Sequence, residues 1–213
     1  MITSERQARD WLRALPEYDD LAFGRLERLV AALVEENERQ NLVSAPSLAS
    51  VWQRHIVDSA QLLCHVPRET CSPWLDLGTG AGFPGLVIAA LRPEARVVMV
   101  ESRPLRAAWL EQMRIAMGLE CAEVLPQRLE LLESAPFRTI SARAFARFDR
   151  LLRLSARFST ADTTWLLPKG RSAHQELQSL DGWQHMFRVE QSLTNSEAGI
   201  VVGMLEGRKG RKK

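Results

Sequence analysis

Trp74-Leu75-Asp76-Leu77-Gly78-Thr79-Gly80-Ala81-Gly82-Phe83-Pro84-Gly85 is the stretch whose reading decides the fold. A short apolar run closes on an acid, Asp76, and opens into glycines at 78, 80, 82 and 85, after which Leu86 to Leu91 reads as a helix. Strand, glycine loop and helix N-terminus in that order hold nucleotide-type cofactors at the edge of α/β sheets. Gly80-Ala-Gly82-Phe-Pro-Gly85 also satisfies the dinucleotide pattern GxGxxG, so the glycines alone do not choose between NAD or FAD and S-adenosyl-L-methionine. Asp76 favours the latter. A pyrophosphate rests on a helix N-terminus, and a carboxylate at the strand tip repels it. S-adenosylmethionine carries a sulfonium and an ammonium, which the same acid attracts.

The second clue is Arg96-Val-Val-Met-Val-Glu101, a β-branched run ending in an acid, followed by a helix-like segment from Pro104 to Met117. It falls about 20 residues beyond the glycine loop, where nucleotide sites place an acid for the ribose hydroxyls. Glu101 therefore argues for a nucleoside and is silent on the rest of the cofactor. Asp76, Glu101, Gly78, Gly80 and Gly82 are the cofactor-binding candidates that the residues themselves supply.

At 213 residues and 46% hydrophobic, the chain can bury one substantial core. Cys64, Cys71 and Cys121 form no paired framework and match no zinc spacing, so no metal is expected. The N-terminus lacks an apolar core segment, and no run approaches the ~20 residues that cross a bilayer. The expectation is a cytoplasmic, reduced, monomeric protein without membrane contact. Net charge is +2, but Gly207 to Lys213 holds five basic residues and no acid, leaving −3 on the body. That tail is expected to be disordered and can attract RNA phosphates without reading sequence.

Residues 1–66 read as a helical cap: one helix from Ser4 to about Leu15, a second from Asp19 to about Arg39, and a third from Leu48 to Pro67. Residues 67–206 alternate strands and helices, with strands near 73–77, 96–101, 121–125, 138–142, 162–168, 184–192 and 199–205. Seven strands, mostly joined by helices, predict a Rossmann-like, doubly wound α/β sheet with an antiparallel piece near the C-terminus. Residues 207–213 form the basic tail.

Asn41-Leu-Val-Ser44, Arg54-His-Ile-Val-Asp-Ser59, the Phe83-Pro-Gly-Leu86 continuation, Ala142-Arg-Ala-Phe-Ala146 and Leu167-Pro-Lys-Gly170 occur in that order. Together they resemble the glucose-inhibited division protein B family, bacterial small-subunit (16S) ribosomal RNA guanine-N7 methyltransferases, over roughly residues 35–205. The resemblance implies a class I S-adenosylmethionine-dependent methyltransferase fold and one guanine of the decoding region as target. It also implies cofactor contacts at Gly78, Phe83, Leu129, Glu130 and Arg143; by periodicity alone, Leu129 and Glu130 read as ordinary amphipathic helix. The family usually has an arginine just before its last strand, where this chain has Ala198 or Gly199.

Guanine N7 has a free lone pair, so its methylation needs proximity and orientation and no general base. Accordingly the chain has neither an Asp/Asn-Pro-Pro-Tyr/Phe segment nor a Pro-Cys nucleophile. Arg143 is the candidate catalytic residue, at the crevice between cofactor and base. Lys169, Arg147 and His55 are candidate RNA contacts. The competing class is an NAD-dependent oxidoreductase, which would need a proton-donor dyad that the sequence does not display.

Overall fold

The computed structural model describes residues 1–210 and places an eight-stranded sheet between helices. The cap comprises α1 (Glu5–Arg13), α2 (Asp20–Gln40) and α3 (Ala45–Leu48), a π-helical turn (Trp52–Val57), α4 (Asp58–Ala60) and a 3-10 turn (Gln61–His65). Ser4 and Asp19 start the first two helices by accepting the amides of Gln7 and Ala22, which would otherwise be orphaned. Asn41, at φ 45°, ends α2 in the left-handed conformation.

The single helix expected from Leu48 to Pro67 is instead a series of short segments with different windings. The Glu5 carboxylate accepts the amides of Trp52 and Gln53 at 3.1 and 2.9 Å, diverting two donors at the point where the winding widens.

The sheet contains β1 (Trp74–Leu77), β2 (Val97–Val100), β3 (Ala122–Leu125), β4 (Thr139–Ser141), β5 (Thr164–Lys169), β6 (Trp183–His185), β7 (Arg188–Gln191) and β8 (Gly199–Arg208). The intervening helices are α5 (Gly85–Leu91), α6 (Pro104–Ala116), α7 (Phe148–Ser155) and α8 (Ala173–Gln178). Strand order is β3-β2-β1-β4-β5-β8, with β6 and β7 both pairing to β8. The first five strands are parallel and β8 is antiparallel to β5.

Side chains alternate faces as a strand period of two requires. Trp74, Val97, Met99, Leu166 and Ile200 pack under the cap, α5 and α6, while Leu75, Val98, Ile140, Trp165 and Val201 pack against α7. The cap thus shares one core with the sheet.

Two expectations need correction. The count of seven strands becomes eight, because the run expected over 184–192 breaks at Met186–Phe187. There the edge chain crosses Gly203 so closely that a Cβ would sit 2.7 Å from the Phe187 Cα. The tail is also shorter than expected: Gly207 and Arg208 belong to β8, paired with Gln184 and Trp183, and the Arg208 guanidinium lies 5.1 Å from the centre of the Trp183 ring. Residues 211–213 lie outside the described residues.

Candidate active site

Because β1, β2, β4 and β5 are parallel, Leu77, Val100, Ser141 and Lys169 end at one edge of the sheet. Strand order reverses at β1, so the crevice between the loops after β1 and β4 is where an open α/β sheet takes its ligand. The antiparallel pairing of Lys169 with Gly199 brings the start of β8 to the same edge.

Asp76 is wholly buried there. One carboxylate oxygen accepts the Ser141 hydroxyl at 2.7 Å, and the other accepts the Gly85 amide at 3.0 Å, at the start of α5. Ser141 in turn accepts the Trp74 indole N–H at 2.8 Å. Burial pushes the Asp76 pKa up, opposed by these hydrogen bonds and by the charge of Arg143. The anion position at this helix N-terminus is therefore already taken by a protein carboxylate, which disfavours a pyrophosphate.

Glu101 directly follows β2 and is buried. It accepts the Gly80 amide at 3.0 Å and the Arg103 amide at 2.8 Å, tying the second strand to the glycine loop. Gly78, Gly80 and Gly82 all have positive φ, between 62° and 106°, which a side chain would strain. At Gly78 the restriction is also steric, since a Cβ would run into the Phe145 ring.

The Arg54-to-Ser59 segment meets this loop from the cap. His55 stacks on Phe83 with ring centres 4.9 Å apart and planes 17° apart. The Arg143 guanidinium lies 5.1 Å from the same ring centre, so its cation rests on the aromatic face. Both terminal nitrogens of Arg143 donate to His55 Nδ1, at 3.2 and 3.3 Å. Nδ1 must then be the acceptor, and the hydrogen-bond network assigns the proton to Nε2, which donates to Ser47 Oγ at 3.0 Å. Burial, with the nearby charges of Arg143 and Arg54, lowers the His55 pKa to about 3, keeping the ring neutral. Asp58 pairs with Arg143 at 3.5 Å across the cap–sheet boundary, rather than with Arg54 along its own helix.

The remaining candidates fall around two adjoining cavities. Leu129 and Glu130 form a short 3-10 turn beyond β3, rather than an amphipathic helix, and line a cavity of about 930 Å³ with Ser102 and Phe145. Arg143 and Lys169 line a second cavity of about 630 Å³, together with Ser47, His55 and Ala198. Arg147 lines both, is exposed, and has no ion-pair partner among the described residues. Lys169 is instead held by Glu176 at 2.8 Å. His55, 8% exposed, lines the second cavity beside Arg143 with both nitrogens already engaged by Arg143 and Ser47.

Sequence reading missed Ser141, Ser102 and Phe145. Ser141 was recoverable only from register, since β1–β4 pairing sets it opposite Asp76. Among the described residues no group of three or more His, Cys, Asp or Glu side chains is gathered as a metal-ligand set. None of the described helices is long and apolar enough to cross a membrane.

Comparison with known proteins agrees with this geometry. A cofactor-bound crystal structure of Rv0187 from MTB superposes with a TM-score of 0.64 at 16% identity, covering 97% of this chain and 100% of that one. The mitomycin 7-O-methyltransferase MmcR gives a TM-score of 0.57 at 14% identity, over 96% and 73% of the two chains. These establish the fold. The ribosomal RNA small subunit methyltransferase G of Erythrobacter litoralis is 60% identical over 95% of this chain and 97% of its own. That of Novosphingobium aromaticivorans is 56% identical over 96% and 90%. Nothing in these matches supports an oxidoreductase. With a family profile matched over residues 23–199 as well, this chain belongs to the rRNA small subunit methyltransferase G family.

Proposed function

We propose that this protein methylates N7 of one guanine in the decoding region of small-subunit (16S) ribosomal RNA, using S-adenosyl-L-methionine. The observation that carries the reading is the Asp76 side chain seated on the Gly85 amide, which occupies the helix N-terminus where a dinucleotide's pyrophosphate would rest. The donor set fits the cofactor. Asp76, buried with its oxygens on Ser141 and Gly85, fixes the turn that meets the methionine end, and Glu101, at the tip of the next strand, offers acceptors for the ribose hydroxyls. Gly78 and Phe83 line the loop side, while Leu129 and Glu130 flank the adenine side. When bound, the cofactor supplies an electrophilic methyl group.

The protein's own part is placement. Guanine N7 needs no deprotonation, so a base held in line at contact distance suffices. Arg143 is fixed by His55, Asp58 and Phe83 in the wall of the second cavity, where its planar fork can stack on a purine or donate to its acceptors. The second cavity, with Lys169 and Arg147 at its rim, is the place for the base and its phosphate. The setting is a cytoplasmic monomer acting on the RNA or the assembled subunit.

Small-subunit RNA from cells with and without the gene tests this. Mapping should find one guanine N7-methylated only when the protein is present. An unchanged methylation pattern would refute the reading.

A further inference from the structure

The loop after β4 carries its aromatic residue into the crevice. Phe145 lies across the switch point with its ring on Gly78: an ideal Cβ on that glycine would also meet Phe145 Cε2 at 3.1 Å. Gly78 is the first residue beyond the β1 tip, on the floor over which a ligand held by the glycine loop must pass. The conformation that puts the ring there is strained, because Ala144, with φ 53°, occupies the left-handed region that an L-residue with a side chain adopts at a cost. The loop is also weakly tied. Among the described residues, the amides of Ala144, Phe145 and Ala146 have no hydrogen-bond acceptor. Its anchors are few: Arg143 on His55 and Asp58, the Ala146 carbonyl accepting from Lys169 Nζ at 3.5 Å, and the Phe148 amide on Glu176.

The same loop separates the two cavities. Phe145 lines only the larger one, Ala144 only the smaller, and Ala146 and Arg147 line both. Transfer between a donor in one cavity and an acceptor in the other needs reacting atoms about 3–3.5 Å apart. The dividing wall has to give.

We propose that Phe145 is a gate: its ring rests on Gly78 in competition with the methionine end of S-adenosylmethionine, and cofactor entry displaces it, joining the two cavities. This rests on the cofactor reading above. The strain at Ala144 keeps the closed conformer shallow, so that the cofactor's binding energy can open it.

Calorimetric and stopped-flow titration of the whole protein with S-adenosylhomocysteine tests the gate. Phe145→Ala should bind about tenfold more tightly, the factor for an open state populated at about 10%. The gain should lie in the association rate, with dissociation unchanged. Phe145→Leu, which keeps an apolar side chain in the loop, should fall between. Ala144→Gly relieves the left-handed strain, deepens the closed state and should weaken binding about fivefold. Unfolded variants are identified by their far-ultraviolet circular dichroism, and Phe145→Leu then serves for Phe145→Ala. Unchanged or weaker binding by the folded Phe145 variants would overturn the gate, as would a change confined to dissociation or an unaltered Ala144→Gly. Failure of the wild-type protein to bind S-adenosylhomocysteine would overturn the cofactor reading itself.

Discussion

Between β1 and α5, every residue from Thr79 to Pro84 is buried, and the turn is tied at several points. Thr79 donates its amide to Val100, Gly82 donates to Thr79, Gly80 to Glu101 and Gly85 to Asp76. Between β4 and α7, the residues from Arg143 to Arg147 are half-buried or exposed and turn through a left-handed alanine. The two loops face each other across one crevice. A segment with many buried hydrogen bonds opens only at a large fraction of global stability, whereas one with few opens locally at little cost. The first loop is built to hold a fixed ligand geometry, and the second to move and to meet a second substrate.

Substitutions should separate the two loops by their signatures. The largest effect is expected from Asp76→Ala, which strands the Ser141 hydroxyl and the Gly85 amide inside the core. Two buried donors without partners should lower the unfolding free energy by about 2–4 kcal/mol and weaken S-adenosylhomocysteine binding at least tenfold. Urea denaturation and calorimetry read both. If neither moves, the first loop does not depend on its acid.

The next effect concerns the joint between the loops. His55 has a pKa of about 3 when folded, against 6.5 ordinarily, so below pH 6.5 the unfolded chain takes up a proton that the folded one refuses. Its contribution to stability is complete above pH 6.5 and is lost as pH falls from 6.5 toward 3, with about 2 kcal/mol gone by pH 5. His55→Gln should remove that part of the pH dependence. Denaturation of both proteins at pH 7 and pH 5 checks it, and parallel pH profiles would mean His55 is not held neutral by its neighbours.

Glu101→Gln keeps the size but presents one acceptor oxygen instead of two, so either Gly80 or Arg103 loses its partner. Binding of S-adenosylhomocysteine should weaken about tenfold, a loss of about 1.4 kcal/mol, within the range for a buried donor left without its partner. Should turnover alone change, Glu101 serves the RNA side instead. Arg143→Lys belongs to the other loop and should show the reverse pattern. A lysine cannot make the double contact to His55 Nδ1, so single-turnover methyl transfer should slow about fivefold while unfolding free energy stays within about 1 kcal/mol. A wild-type transfer rate would remove Arg143 from the chemistry. The smallest effect is assigned to the tail: deleting residues 209–213 should flatten the slope of log RNA affinity against log salt by about 0.7–0.9 for each phosphate that the tail neutralises. The choice of guanine should be unaltered, because phosphate contacts do not specify bases. An identical slope would leave RNA capture to the folded body.

The first loop was the legible one. Its glycines, its acid and the second acid at Glu101 are local signals, each tied to a backbone requirement that only certain residues meet. The second loop was legible only through family resemblance, which singled out Arg143 but not Phe145. A phenylalanine in a bend carries no signal of its own; its place on Gly78 follows from β1–β4 adjacency, a fact of tertiary pairing. The same holds for Ser141, whose hydroxyl matters because register sets it opposite Asp76. Helical periodicity over 48–67 was real, yet it could not reveal that Glu5, more than forty residues away, takes two amides from that segment. Likewise, alternation across 184–192 marks a strand but not the break imposed by the close passage of Gly203.

The most direct measurement combines the purified protein, S-adenosylmethionine carrying a labelled methyl group, and small-subunit RNA from cells lacking the gene. After digestion to nucleosides, mass spectrometry should find the label in 7-methylguanosine, at about one per RNA molecule and at a single mapped position. Label in any other nucleoside, or none in RNA that accepts methyl groups from a known small-subunit methyltransferase, would contradict the assignment.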